Sequence, residues 1–247
     1  MTTNSPTMLA DRSVLRAAGD DVRGFLQGLL TNDLATLTCD TPQWTALLTP
    51  QGKVLFDLLL WSAGDDVLID CEAAQAEALA RRLAVYRLRR AITIQPVELA
   101  VHWSPNGTCG SADPRLADLG RRWLGKSGDP TDGWLSHRLS LGVTEGVAEL
   151  GSGETLWLEA NARELNGVSF TKGCYVGQEN TARMHHRGKV TRRLVVVPLD
   201  EEATSIRAAY PTLNLMVERR RVEDLTPSTL PPWLATALAS DQRPTAE

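Results

Sequence analysis

Eight consecutive residues, Lys172-Gly173-Cys174-Tyr175-Val176-Gly177-Gln178-Glu179, gather a thiol, an ammonium, a phenol, an amide and a carboxylate into one short stretch. A thiol beside a cation or at a helix N-terminus is biased toward thiolate, the form that attacks electrophiles and binds metals. Cys174 is therefore the candidate functional thiol and Lys172 its activating neighbour. The competing reading makes Cys174 a small buried apolar residue, the commoner fate of a lone cysteine. Asp57 is the second chemically informative residue, because it interrupts the apolar run 54–61. An ionised carboxylate in so apolar a strand must be paired, face a cavity, or shift its pKa. Arg183 opens a stretch to Arg193 with five Arg or Lys and no acid, and five more Arg fall within 81–90. Such clusters suit local anion sites or solvated helix faces.

Holding these side chains requires defined elements. Residues 168–170 suit a short strand and 171–173 a turn in which Gly173 takes a positive φ. A helix follows, with Gln178 and Glu179 in its first turn, Arg187 in its last and Gly188 as C-cap. Cys174 then lies between a strand end and a helix N-terminus. Upstream, 14–17 reads as a strand, and Asp20 as the N-cap of a helix placing Val22, Phe25, Leu26 and Leu29 on one face. The triplet Thr31-Asn32-Asp33 is turn and cap chemistry. A hairpin follows, with strands 44–48 and 53–61 about a 49–52 turn. Beyond it come a strand at 67–70, an amphipathic helix over 73–86 with Leu79, Leu83 and Tyr86 on one side, and strands at 92–94 and 97–103. Loops fill most of 104–132, with a strand near 123, and a helix covers 134–141. The pattern is α+β with mainly antiparallel sheets. Residues 1–8 read as a flexible lead, 201–221 as one or two short elements, 233–238 as a short helix and 239–247 as disordered.

With 43% apolar and 23% charged residues, the 247-residue chain has the composition of a globular protein with a substantial core. Its formal net charge of −4 gives no general reason to expect a polyanion partner. Cys39, Cys71, Cys109 and Cys174 are dispersed without C-x-x-C, and His102, His137, His185 and His186 add no ligand spacing, so no metal site is expected. Dispersed thiols and an N-terminus without a signal-peptide core point to a reduced, cytoplasmic setting. The run 54–61 is too short to span a bilayer.

The octapeptide resembles the signature K-G-C-aromatic-x-G-Q-E of the YgfZ branch of the YgfZ/GcvT folate-binding superfamily. Weaker agreements follow in order: Gly19-Asp20-Asp21 with Phe25-Leu26-Gln27-Gly28, Thr31-Asn32-Asp33, Leu48-Thr49-Pro50-Gln51-Gly52-Lys53, and Tyr86-Arg87-Leu88-Arg89. The resemblance covers about residues 10–198. It implies a two-lobed folate-binding core at 8–198, with approximate lobes 8–95 and 96–198. Residues 199–247 are too few for the C-terminal β-barrel of relatives, which is then reduced or absent.

The resemblance further implies that the protein binds tetrahydrofolate or a one-carbon derivative and helps assemble or repair iron–sulfur enzymes, with that machinery or its clients as partners. The expected ligand cavity is bordered by 166–194 and by the hairpin around Asp57. Asp57, Tyr175, Gln178, Glu179 and Arg183 are its candidate cofactor-binding residues. A rival expectation is a folate-dependent aminomethyltransferase, although Phe56-Asp57 stands where that enzyme family pairs two acids. A tRNA-associated factor using the basic segment is a lesser alternative, since nucleic acid is an unlikely partner for so acidic a chain.

Overall fold

The computed structural model describes residues 6–186, 190–200 and 202–241. The first sheet is built around β1 (Arg12–Gly19), which pairs with β4 (Asp66–Glu72) on one side and β5 (Ile92–Pro96) on the other. With β2 (Gln43–Leu48) and β3 (Val54–Ala63) the order is β2-β3-β4-β1-β5, every neighbour antiparallel. Alternation along β3 sends Leu58 and Leu60 to one face and Asp57 and Leu59 to the other. The first face is covered by α1 (Val22–Gln27) and α2 (Ala76–Arg87), which bury Phe25, Leu26, Leu79 and Leu83 against it. The N-cap of α1 is Asp21, one residue later than expected, and its carboxylate accepts from the Gly24 amide at 3.2 Å.

The opposite face carries Trp44, Ala46, Leu48 and Leu59 into a larger core shared with the second lobe. That lobe holds β6 (Ala100–Ser104), β7 (Ser111–Ala112) and β8 (Arg121–Gly125) in the order β6-β8-β7, with α3 (Gly133–Ser140) and α4 (Gly146–Leu150). The strand expected from 97 begins at Ala100, after the Leu99 amide turns back onto the Val97 carbonyl at 2.8 Å. Trp44 meets Trp157 with ring centroids 4.5 Å apart, joining the first sheet to the irregular segment before the octapeptide.

A third antiparallel sheet, β10-β11-β9, is formed by β9 (Arg192–Pro198), β10 (Ile206–Tyr210) and β11 (Leu215–Arg221). The division drawn at 198 therefore runs through a sheet, because β9 pairs along its length with β11. Among the described residues there is no closed barrel. The helix α6 (Pro232–Asp241) packs Leu234 and Leu238 on this sheet and carries helical structure past 238 into residues expected to be disordered.

Residues 168–170 form no strand. The free edge of β2 is already taken by Leu30, opposite Leu47, and by the Thr31 amide, which donates to Ala46 at 3.2 Å. Only the Ser169 amide is left a ladder-like bond, to the Thr31 carbonyl at 3.0 Å. After this segment comes α5 (Gln178–His186); its expected end at Arg187 and Gly188 lies outside the described residues.

Candidate functional site

The ammonium of Lys172 is buried and donates to three main-chain carbonyls: Leu30 at 2.6 Å, Gln27 at 2.7 Å and Asn32 at 2.7 Å. These carbonyls close the C-terminal end of α1 and the turn after it, where a helix presents unpaired acceptors and the negative end of its dipole. The Tyr175 ring stands 5.1 Å from the same nitrogen. Burial pushes the Lys172 pKa down to about 8, with Asp33 acting in the opposite sense. Lys172 thus anchors the loop, its donors converging on backbone oxygens.

Cys174 is exposed and free, four positions ahead of α5 and with no strand before it. Cys39 and Cys109 are exposed as well, so exposure alone does not single it out, while burial raises the Cys71 thiol to about 12. What distinguishes Cys174 is the fixation on both sides of it. Lys172 holds the loop before it, and Tyr175, buried with its phenol pushed up to about 12 by burial, holds the loop after it. The positive-φ glycine of this loop is Gly177, at φ +85°, and not Gly173. A Cβ on Gly177 would lie 2.5 Å from the Thr49 carbonyl, so the hairpin turn and the residue before α5 approach closely at the backbone.

Gln178 opens α5, its amide donating to the Tyr175 carbonyl at 3.2 Å, and Glu179 is exposed in the first turn. Arg183 donates to Asn180 at 2.6 Å, and Asn180 donates to the Gln51 carbonyl at 2.9 Å, tying the helix to the hairpin turn. Phe170 stacks on His185 at 3.7 Å between centroids, which closes the segment on itself.

Asp57 belongs to a separate place. It lines a small cleft of about 10 Å³ with Phe56, Cys71, Glu72, Gly146 and Val147 among its walls. The Gly146 amide donates to Asp57 Oδ1 at 3.1 Å, whereas the buried Oδ2 has no hydrogen-bond partner among the described residues. None of Tyr175, Gln178, Glu179 and Arg183 lines this cleft. The α5 contact is at the hairpin turn, and Asp57 lies five positions along the chain from Gly52, about 16 Å if extended.

Behind Asp57 lies a buried ionic network that no local pattern announces. Arg12 donates to Asp70 at 2.6 Å, Arg122 reaches Asp70 at 3.2 Å and Asp113 at 3.0 Å, and Arg115 bridges Asp113 at 2.7 Å and Glu145 at 2.6 Å. Arg138 pairs with Glu149 at 2.7 Å, and Glu149 also accepts from the Tyr210 hydroxyl at 2.6 Å. Burial alone would raise the Glu145 pKa, but Arg115, Arg138, Arg122 and Arg12 hold it well below the usual carboxylate range. Four guanidinium groups thus face Asp70, Asp113, Glu145 and Glu149, which leaves a charge on Asp57 without a counter-ion of its own. Burial accordingly raises the Asp57 pKa, with Glu145 adding to the rise and Arg12 and Arg115 opposing it. A protonated Asp57 would be a hydrogen-bond donor as well as an acceptor at the wall of the cleft.

Among the described residues no group of three or more His, Cys, Asp or Glu is arranged to hold a metal ion. No protein-family model matches the chain. The mitochondrial iron–sulfur cluster assembly factor IBA57 of Homo sapiens is 38% identical, over 76% of this chain and 65% of that protein. The corresponding Mus musculus protein is 32% identical, over 78% of this chain and 65% of that protein. The chain thus spans about 65% of the length of these curated relatives. The crystal structure of the glycine cleavage system aminomethyltransferase T from Bartonella henselae superposes with a TM-score of 0.61 at 16% identity, over 90% of this chain and 79% of that one. The chain has the α+β fold of that aminomethyltransferase and a sequence similar to iron–sulfur cluster assembly factors.

Proposed function

We propose that the protein is an accessory factor in the assembly or repair of iron–sulfur enzymes, of the YgfZ branch of the superfamily, acting through Cys174. The observation that carries this reading is an exposed thiol on a loop anchored by the Lys172 ammonium. The similarity to assembly factors points the same way. A thiol presented on a fixed loop can meet iron or sulfur on a partner protein without local unfolding. The partners proposed are the iron–sulfur machinery or its client enzymes.

Tetrahydrofolate or a one-carbon derivative is the proposed small-molecule ligand. The orphaned Oδ2 of Asp57 fits the polar edge of a pterin, which offers both donors and acceptors. As it stands the cleft holds about 10 Å³, room for about one water molecule, so the ring would reach Asp57 only if the walls around it opened. Bound folate would supply a carried one-carbon unit, while Asp57 orients the ring. Tyr175, Gln178, Glu179 and Arg183 are kept as candidates only for contacts outside this cleft.

Folate-dependent aminomethyl transfer is the second reading, favoured by the fold and by Asp57 itself. Phe56 in place of a second acid weighs against it. Four free cysteines suit a reducing compartment, proposed as cytoplasmic, although the curated relatives are named as mitochondrial. Among the described residues no helix is long and apolar enough to cross a membrane. Deleting the gene and assaying cluster-dependent enzymes beside glycine cleavage tests the proposal. Loss of the former with the latter intact is expected, and the reverse would favour the transferase.

A further inference from the structure

The chain leaves α2 through a tight turn in which the Arg90 amide donates to the Arg87 carbonyl at 2.9 Å. Leu88 occupies the first central position with φ 52° and ψ −111°, the geometry of a type II′ turn, where glycine is the ordinary residue. A leucine there is strained, and its side chain gains nothing from the fold, being 85% exposed. Val85, one turn earlier, is 68% exposed, and among the described residues only Ile206 joins these two as an exposed large hydrophobic. Leu88 stands at the rim of an open cleft of about 840 Å³ whose other walls include Phe25 of α1, Leu29 just after it and Tyr86.

Arg87, Arg89 and Arg90 line this cleft, at the end of a basic stretch. Five arginines and no acid occur within 81–90. Arg81 pairs with Glu77 at 2.6 Å and Arg90 with Asp21 at 3.7 Å, but among the described residues Arg82 and Arg89 make no ion pair. A strained, exposed aliphatic in a positive field is a feature that folding does not favour, and such local conflicts mark functional positions.

We propose that the turn at Leu88, with the adjoining α1–α2 cleft, is a docking surface for an acidic amphipathic segment of a partner protein. Leu88 and the cleft would take its apolar side chains, and Arg89 its carboxylates. Charge complementarity sets the sign of the partner, and the concave apolar floor favours a protein segment over a phosphate backbone, which has no apolar contact to offer Leu88. The proposal is independent of Cys174 and of folate.

The test uses the full chain and a synthetic acidic helix of about 14 residues, with leucines at i, i+4 and i+7 and glutamates elsewhere, beside a scrambled peptide of equal composition. Saturable binding by the patterned peptide is expected, weakened at least tenfold by scrambling, by Leu88→Asp and by Arg89→Glu. Leu88→Gly should weaken binding likewise while holding or raising the melting temperature, because glycine relieves the turn. A structural role for Leu88 would instead make Leu88→Gly less stable. Absent binding up to millimolar peptide, or equal binding by the variants, overturns the proposal. Binding of anionic phosphatidylserine vesicles or of RNA in place of the peptide overturns it too.

Discussion

Lys172 Nζ lies 2.6 Å from the carbonyl oxygen of Leu30, 142 positions earlier in the chain. With the Gln27 and Asn32 carbonyls it forms a three-acceptor seat that suits a compact ammonium with three donors and does not suit the planar fork of an arginine. The loop that presents Cys174 is therefore fastened to the end of α1, and a change at Lys172 acts on the thiol through loop position.

Replacing Lys172 by Met leaves three carbonyls, that of Leu30 buried and those of Gln27 and Asn32 part-buried, without their donor. The expected cost is about 2–3 kcal/mol in urea unfolding, since bonds to charged groups are the stronger ones. Lys172→Arg should fail to restore it. Alkylation of Cys174 should also change in rate in the Met variant, which a purely remote stability effect at low denaturant would not produce.

Labelling with iodoacetamide should separate the cysteines by burial. Cys71, raised to about 12 by its surroundings, is about one part in ten thousand ionised at pH 8 and should remain unmodified while the chain is folded. Cys174 should label first; faster labelling of Cys39 or Cys109 would show that loop fixation confers no special reactivity.

Asp57 carries a signed pH dependence. Its folded pKa is raised above the unfolded value, so its contribution to stability is present below the ordinary carboxylate pKa and is lost as pH rises through the folded value. Asp57→Asn removes that loss. The variant should melt higher than the parent at neutral pH, and the difference should shrink toward pH 4. If Asp57→Asn is less stable at neutral pH, the carboxylate is charged and paired in the fold.

Glu145 behaves oppositely, because its pKa is held low and the stability it contributes disappears only as pH falls through that depressed value. Glu145→Gln takes one carboxylate from a buried network in which Arg115 keeps only Asp113, and should cost roughly 3–5 kcal/mol, a fall in melting temperature on the order of 10 °C. Scanning calorimetry at neutral pH checks this.

The hairpin carrying Asp57, the amphipathic helix over Leu79 and Leu83, and the helix opened by Gln178 and Glu179 were legible because each is written in a local period or turn. Asp57 also declared itself, as an acid in an apolar strand. The ionic network was not legible: Arg12 and Asp70 are 58 positions apart, and nothing near either names the other. Likewise Lys172 looks like a partner for Cys174 when read along the chain, and only the fold reveals that the α1 carbonyls claim it. The missing strand at 168–170 has the same origin, since its sequence suits a strand but Leu30 and Thr31 already occupy the edge it needs.

The central claim is that Cys174 is the working group of an iron–sulfur accessory factor, and complementation measures it most directly. In a strain lacking the gene, the activity of a cluster-dependent dehydratase should be restored by the parent chain, by Cys39→Ala and by Cys109→Ala, and should stay at the deletion level with Cys174→Ala at equal protein abundance. Full restoration by Cys174→Ala together with failure of Asp57→Ala would contradict the claim and place the function at the Asp57 cleft.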